Sequence, residues 1–372
     1  MVAGNDIELI FLGTGTSSSL PNVDCLTASP DEKPPCKTCL STLTAEGKKN
    51  IRRNTCAALR IRTQDGCSVT IIIDAGKNFQ AAAIEWFPKY KLRKIDALLI
   101  THAHADAMSG LDDLRGWTLR GAIQSHIDVY LSQETYVEVR RSYPYLVAKE
   151  FASGGGDVPE FKWHIISDKQ PFEVGDTGIR VTPFLVHHGR IFAVAPHPSC
   201  CTPTGTAPSS PRRDDIVPPS EQEGTNAEET LIQPYTCFGF KIQNEIAYIS
   251  DVSFVPQDVW PLLESISVLV LDCLGLEAHA SHFGLKEAIQ TARRVGAHRT
   301  YLTGFGHRVS HEEYVTIGEM MEGAERVAKT ENEQRAAALI GQGKTVWLRP
   351  AHDGLRVVVG RGVLTDDTYQ CK

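Results

Sequence analysis

The sequence predicts an α/β fold, a sandwich of sheets with helices outside. Short apolar and β-branched runs bounded by turn residues recur along the chain. Stretches with helical spacing lie between them. Strands and helices alternate rather than segregate, and no short-period repeat is present.

The elements follow in order. Residues 8–12 form a first strand, closed by the turn GTGTSSS. With no third glycine and no βαβ context, that turn is a tight structural turn and not a dinucleotide fingerprint. Residues 25–49 are polar and loop-like, with Pro34, Pro35 and a CxxC. Residues 57–62 and 68–73 read as a hairpin turned at Gln64-Asp65-Gly66. Residues 79–86 read as a helix, with Pro88 soon after it, and 95–100 as a buried strand. A helix is expected over 111–120, a strand over 127–131 and a helix over 134–143. Further strands are expected over 172–174, 179–186, 237–242, 246–250, 268–272 and 300–303, and helices over 285–295 and 326–340. Residues 345–348 and 355–359 are expected to close as a hairpin across His352-Asp353-Gly354. Residues 196–234, rich in Pro, Ser, Thr and Glu, cannot build a core and are expected to be a disordered insertion, its Cys200-Cys201 pair incidental. The expected organisation is one domain over 1–372, with a cysteine-rich loop at 25–50 inside it.

Of 372 residues, 42% are apolar and 22% charged, enough for a sizeable core. The net charge of −7 argues against a basic footprint for duplex nucleic acid. No apolar run of about 18 residues suggests a membrane span. The N-terminal MVAGNDIELIFLG lacks the basic-then-apolar layout of a signal peptide. The ten cysteines are therefore expected as reduced thiols or metal ligands, in the cytoplasm or the nucleus.

The chemistry-bearing residues collect at strand ends. ITHAHADAMSGLDDLR supplies His102, His104 and Asp106 after the apolar run 95–100. His187 and His188 follow 179–186, and Asp251 follows 246–250. His282 comes after 268–272, and His307 after 300–303. Strand ends of one polarity converge when strands share a sheet. Converging imidazoles and carboxylates are a transition-metal donor set. A lone HxH is more often surface or core; five strand ends together point to a metal. His126, His164, His187, His197, His279, His298 and His352 carry no role, and Trp86 and Trp117 fit core positions.

This pattern resembles the metallo-β-lactamase superfamily, over residues 8–311. The resemblance implies an αββα four-layer sandwich with metals at one edge of its two sheets. Its HxHxDH signature, then a distant His, an Asp and a last His, is matched by His102, His104, Asp106, His188, Asp251 and His307. His188 is preferred over His187 because the family's ligand commonly precedes a glycine, here Gly189. Within the superfamily the chain is similar to the PhnP-like branch, which includes the cyclic phosphodiesterase of phosphonate breakdown. FLGTGTSSSLP, RRNTC and SHFGLKEAI followed by LTGFGHRVSH carry that similarity. It implies that His282 is a candidate general acid and that Cys25, Cys36, Cys39 and His311 hold a structural zinc.

Ala107 stands where the signature has its fourth polar residue, a histidine. The resemblance then leaves Asp106, Asp251 and His307 for a second metal. Water fills the gap, or Asp112 or Asp113 reaches in, or the site uses one metal; two metals with a labile second are favoured. A metal lowers the pKa of bound water to roughly 7. Asp106 and His282 are the catalytic candidates, and Arg52, Arg53 and Arg115 are weak candidates for phosphate oxygens. The expected function is a metal-dependent phosphodiesterase acting on a small or cyclic phosphodiester, with Zn or Mn at the catalytic site as one or two ions. The alternatives are a tRNA 3′-end-type endonuclease, a thioester or lactone hydrolase, and a degenerate member that binds metal or a partner without turnover. The partners expected are a small phosphodiester substrate, no duplex nucleic acid and no membrane, with a homodimer left open.

Overall fold

The computed structural model describes residues 6–29, 31–63, 65–154, 157–191, 233–324, 326–360 and 362–369. Most of the 196–234 insertion lies outside the described residues, with His197, Cys200 and Cys201.

Fifteen strands are described, in two sheets. The first holds β1 (Ile7–Gly13), β2 (Cys56–Arg62), β3 (Ser68–Ile73), β4 (Ala97–Leu99), β5 (Ile127–Leu131), β6 (Phe161–Ile165), β14 (Arg356–Gly360) and β15 (Val363–Asp366), in the order β15-β14-β1-β2-β3-β4-β5-β6. The second holds β7 (Phe172–Glu173), β8 (Arg180–Arg190), β9 (Pro234–Ile242), β10 (Ile246–Ile249), β11 (Val268–Asp272), β12 (Arg299–Thr303) and β13 (Leu348–Pro350), in the order β13-β12-β11-β10-β9-β8-β7. β3 to β6 are parallel in one sheet and β10 to β13 in the other.

Three apolar layers make the four-layer sandwich. Between the sheets, Leu9, Leu59 and Ile71 meet Phe240, Val270 and Tyr301. On the outer face of the first sheet, Ile10, Ile72 and Leu98 pack with Phe79, Ala83 and Phe87 of the helix Phe79–Tyr90. On the outer face of the second, Leu269 and Leu302 pack with the helices Leu285–Val295 and His311–Met321. Sheets covered on both faces need apolar residues at successive positions, which is why these strands read as continuous runs. No helix among the described residues is long and apolar enough to cross a membrane.

Three expectations are corrected. The last helix spans Glu331–Ile340 and not 326–340, because Thr330 is its N-cap and accepts from the Glu333 N–H. Residues 111–120 break into a 3-10 turn, Leu111–Leu114, and one helical turn, Arg115–Thr118, before Arg120 turns to φ 53°. The final hairpin does not form. β13 pairs with β12 in one sheet, while β14 pairs with β1 in the other. His352-Asp353-Gly354 is the crossing between them. Gly354 donates to Phe11 O beneath Trp86, where a Cβ would come within 2.3 Å of the indole.

His352 is 8% exposed in this crossing. Its Nδ1 meets Asp353 O at 2.9 Å and its Nε2 meets Thr368 Oγ1 at 2.8 Å. Burial lowers its pKa from 6.5 to about 4. A depressed histidine contributes stability that is present above the unfolded pKa and lost as pH falls through the folded value. Between about pH 6.5 and pH 4 this amounts to about 3 kcal/mol. His352→Gln is expected to flatten the fall of the urea midpoint across that window; an unchanged slope would refute the assignment.

Candidate metal centre and active site

The site lies where strand ends of both sheets meet. After β4, Thr101 and His102 are buried, and His104 caps the helical turn Ala105–Met108. His102 Nε2 is 3.0 Å from His104 Nδ1, and His188 Nε2 is 3.3 Å from the same atom. The edge of a tetrahedron with Zn–N bonds of about 2.05 Å is about 3.3 Å. Both separations suit one divalent ion, and all three nitrogens lie within 4.8 Å of one another.

Outer partners fix which nitrogen is free. Asp74, at φ 63° just past β3, accepts from Thr101 N–H and from Thr101 Oγ1, each at 2.8 Å. The threonine has one hydroxyl proton. Having given it to Asp74, Oγ1 must accept from His102 Nδ1–H at 2.7 Å. That leaves the Nε2 lone pair facing the cluster. His188 Nδ1 meets Ser281 O at 2.8 Å, which frees its Nε2 in the same way. Burial lowers the pKa of His102 to about 3 and also lowers that of His104, so both are neutral ligands. His187, by contrast, packs its ring on Phe254, and its backbone pairs with Ser253 and Phe254.

Asp251 follows β10 and is 4% exposed; its Oδ2 is buried with no hydrogen-bond partner. Burial pushes its carboxyl up, but His188, His102 and His282 pull it down to about 2. An ionised, unpartnered carboxylate oxygen beside these imidazoles fits a cation. His188, Asp251 and His282 form a second set whose donor atoms lie within 4.8 Å of one another. His282 Nδ1 meets Asp272 Oδ2 at 2.9 Å and lies 3.8 Å from Asp251 Oδ1. Asp106 is held by Ser17, whose Oγ donates to Oδ2 at 2.8 Å. His282 lines a cavity of about 500 Å³ with Ser17, Leu276, His307, Arg308 and Asn332.

The structure corrects the ligand sets at His307 and His311. His307 Nδ1 lies 3.1, 3.6 and 3.7 Å from the sulfurs of Cys25, Cys36 and Cys39. A tetrahedral zinc with Zn–S of about 2.3 Å and Zn–N of about 2.05 Å gives S–N edges of about 3.5 Å. His311 is instead a core residue, 3% exposed, with Nε2 3.1 Å from the Tyr369 hydroxyl. Among the described residues the group that could hold an ion here is therefore Cys25, Cys36, Cys39 and His307, and no such group joins His307 to His102, His104 and His188.

The three arginines are also committed elsewhere. Arg52 is 1% exposed, donates to Gly306 O and to Val309 O, and braces the loop that carries His307. Arg53 pairs with Glu85 at 2.6 Å and Asp353 at 3.5 Å. Arg115 pairs with Asp112 at 2.6 Å, which occupies that carboxylate. Asp113 faces an outer groove with Gln80 and Trp117. Neither acid joins a metal-competent group among the described residues.

Sequence reasoning missed Asp74, Asp272 and Tyr235. Asp74 and Asp272 each follow or end an apolar strand, a signal that was available. Tyr235, in β9, stacks on His104 with centroids 4.8 Å apart and planes at 11°, and no local pattern marks it.

A family profile described as "Beta-lactamase superfamily domain" matches residues 69–205 and 216–305. An octanoyltransferase of Porphyromonas gingivalis (strain ATCC BAA-308 / W83) is 24% identical over 322 residues. The match covers 84% of this chain and 48% of that protein, so the chain spans about half the length of this relative. A diphosphatase from the PhnP family superposes with a TM-score of 0.62 at 20% identity, covering 95% of this chain and 97% of that one. Zn(2+)-bound PqqB from Methylobacterium extorquens gives 0.59 at 16% identity, covering 94% and 99%.

Proposed function

We propose, from the premise that the chain belongs to the beta-lactamase superfamily, that it is a metal-dependent hydrolase of small or cyclic phosphodiesters, of the PhnP-like branch, working with one catalytic ion. The observation that carries this is the three-imidazole set, joined through His188 to Asp251 and to His282, which lines a cavity. Of the groups that the resemblance offers for a second metal, Ala107 has no lone pair and His307 belongs to the cysteines, which leaves Asp106 and Asp251.

His102, His104, His188 and Asp251 would hold the ion. A divalent ion there lowers the pKa of a water to about 7. Asp106, fixed by Ser17, orients that water through its remaining oxygen and takes its proton. His282, fixed through Nδ1, presents Nε2 to the leaving oxygen and donates a proton to it. With Arg52, Arg53 and Arg115 paired, phosphate charge is met by the ion and His282; Arg308 adds a basic group on the cavity wall.

The test is hydrolysis of bis(p-nitrophenyl) phosphate and of 2′,3′-cyclic nucleotides by chain reconstituted with Zn²⁺ or Mn²⁺, before and after chelation. Chelator-sensitive turnover is expected, restored by metal. A thioester hydrolase is the second reading, supported by the acyl-transfer name of the octanoyltransferase relative. Turnover of an octanoyl thioester with none of the phosphodiesters would put that reading first.

A further inference from the structure

Two of the three imidazoles are held from behind by a contact at the nitrogen that faces away, His102 by Thr101 Oγ1 at 2.7 Å and His188 by Ser281 O at 2.8 Å. His104 differs. It is the exposed member of the set, and it turns Nδ1 toward the other two. Its Nε2 has no hydrogen-bond partner among the described residues. What lies against its ring is Tyr235. The two rings are stacked, with centroids 4.8 Å apart and planes at 11°. The phenol also meets His188 at 6.0 Å and His102 at 6.2 Å. Its hydroxyl accepts from the N–H of Ala103, the residue between the first two ligands, at 3.3 Å.

The register of β8 and β9 explains the placement. His187 pairs with Thr236 and Arg190 with Pro234, so His188 and Gly189 bulge opposite Tyr235 alone. Gly189, at φ +87°, permits the bulge. Further along β9, Phe238 donates its N–H to Thr101 O at 2.9 Å. β9 thus grips the loop after β4 at Thr101, Ala103 and His104, and pairs with the strand that carries His188. We infer that Tyr235 is a positioning residue for the metal centre: its ring fixes the His104 imidazole with Nδ1 inward, and its hydroxyl ties the loop of His102 and His104 to the hairpin of His188. The physical reason is preorganisation. An exposed imidazole turns freely, and freezing it when an ion binds costs affinity. A ring already stacked in the binding orientation has met that cost during folding. The inference rests on the metal-dependent hydrolase reading and adds to it the residue that readies the exposed ligand.

The test is a zinc titration of the full chain against a competing chromophoric chelator, with the ion in the cysteine set, which resists mild chelation, as internal control. Tyr235→Leu is expected to weaken binding of the chelator-labile ion about 10- to 100-fold, the range found when an outer partner of a metal ligand is removed. Tyr235→Phe keeps the ring and gives up one long hydrogen bond, so its affinity should fall no more than about threefold. The zinc concentration for half-maximal hydrolysis should rise in step with the dissociation constant. Tyr235→Gln, also without a ring, serves at this half-buried position should the leucine variant not fold, and the same loss is expected of it. Wild-type affinity in the ring-free variants, or equal losses in Tyr235→Phe and Tyr235→Leu, would overturn the inference. So would simultaneous loss of the cysteine-set ion, which would make Tyr235 a general support of the fold. A wild-type chain with no chelator-labile ion would refute the hydrolase reading itself, and this inference with it.

Discussion

Cys39→Ser is expected to remove one metal ion per chain and to lower the unfolding free energy by about 3–5 kcal/mol or more. The physical argument lies in what the 20–50 segment lacks. Its two helices, Val23–Thr27 and Lys37–Ser41, have five residues each. Helices of that length do not hold themselves in water. The buried cluster beneath them is Leu20, Cys25 and Cys39, with Cys36 against it. That is too little apolar surface to order some thirty residues, so the segment depends on a cross-link. Burial raises the Cys39 thiol to about 12 and raises Cys25 too, so without a cation these thiols stay protonated. A divalent ion displaces the protons and binds a soft, negatively charged donor set, the kind that selects zinc. Structural zinc contributes roughly 10–16 kcal/mol in isolated zinc-finger peptides. Only part of that can appear in global unfolding, because the segment can open alone. The measurements are elemental analysis and a denaturant midpoint. An unchanged metal count in Cys39→Ser would sink the assignment. The same ion ties His307 to the loop braced by Arg52, so the variant should also disturb the cavity wall and lower turnover.

The frame of the fold was legible because both sheets are covered on both faces. Residues 68–73, 268–272 and 127–131 appear as strands with the bounds expected. What the pattern could not give was partnership. β13 and β14 are close in sequence and lie in different sheets, a choice made by the packing of Gly354 under Trp86 and not by local spacing. β6 and β15 hold only exposed and half-buried positions, too weak a signal for a strand. At the site, polar residues directly after apolar runs were legible, since a strand that suddenly turns polar at one end has reached a rim. His102, His104, His188 and Asp251 converge there. The exchange of His307 and His311 was not legible. Both histidines of HRVSH sit near the same loop, and spacing alone does not tell which ring faces the thiols. Capping decides it. Ser310 caps the helix that begins at His311, which turns His311 inward toward Tyr369 and leaves His307 on the loop. That exchange also revises the reading of Ala107. On the one-metal proposal, one missing ligand would leave a weakened second site, but two would leave too few donors for it.

Wild-type chain purified without chelator is therefore expected to carry two metal ions, one in each site, and Asp251→Asn to carry one. Asp251 supplies the one anionic oxygen in the groups that bring histidines together among the described residues. Replacing it by an amide leaves only imidazole ligands and removes the charge that offsets the desolvation of a dication at a buried site. Turnover should fall at least about 10³-fold, of the order expected when the group that holds the activating ion is lost. Because His188, His102 and His282 hold its carboxyl near 2, the wild-type ligand stays ionised from mild acid upward. With burial holding His102 near 3, neither it nor Asp251 should take up a proton between pH 6 and pH 4. Three outcomes discriminate. Two ions in the wild type and one in the variant, with the remaining ion resistant to mild chelation, support a single catalytic metal beside the cysteine site. Three ions in the wild type would show that Asp106 and Asp251 hold a second metal despite Ala107, and would remove the one-metal mechanism. An Asp251→Asn chain that keeps both ions and its turnover would place the catalytic metal elsewhere and overturn the site itself.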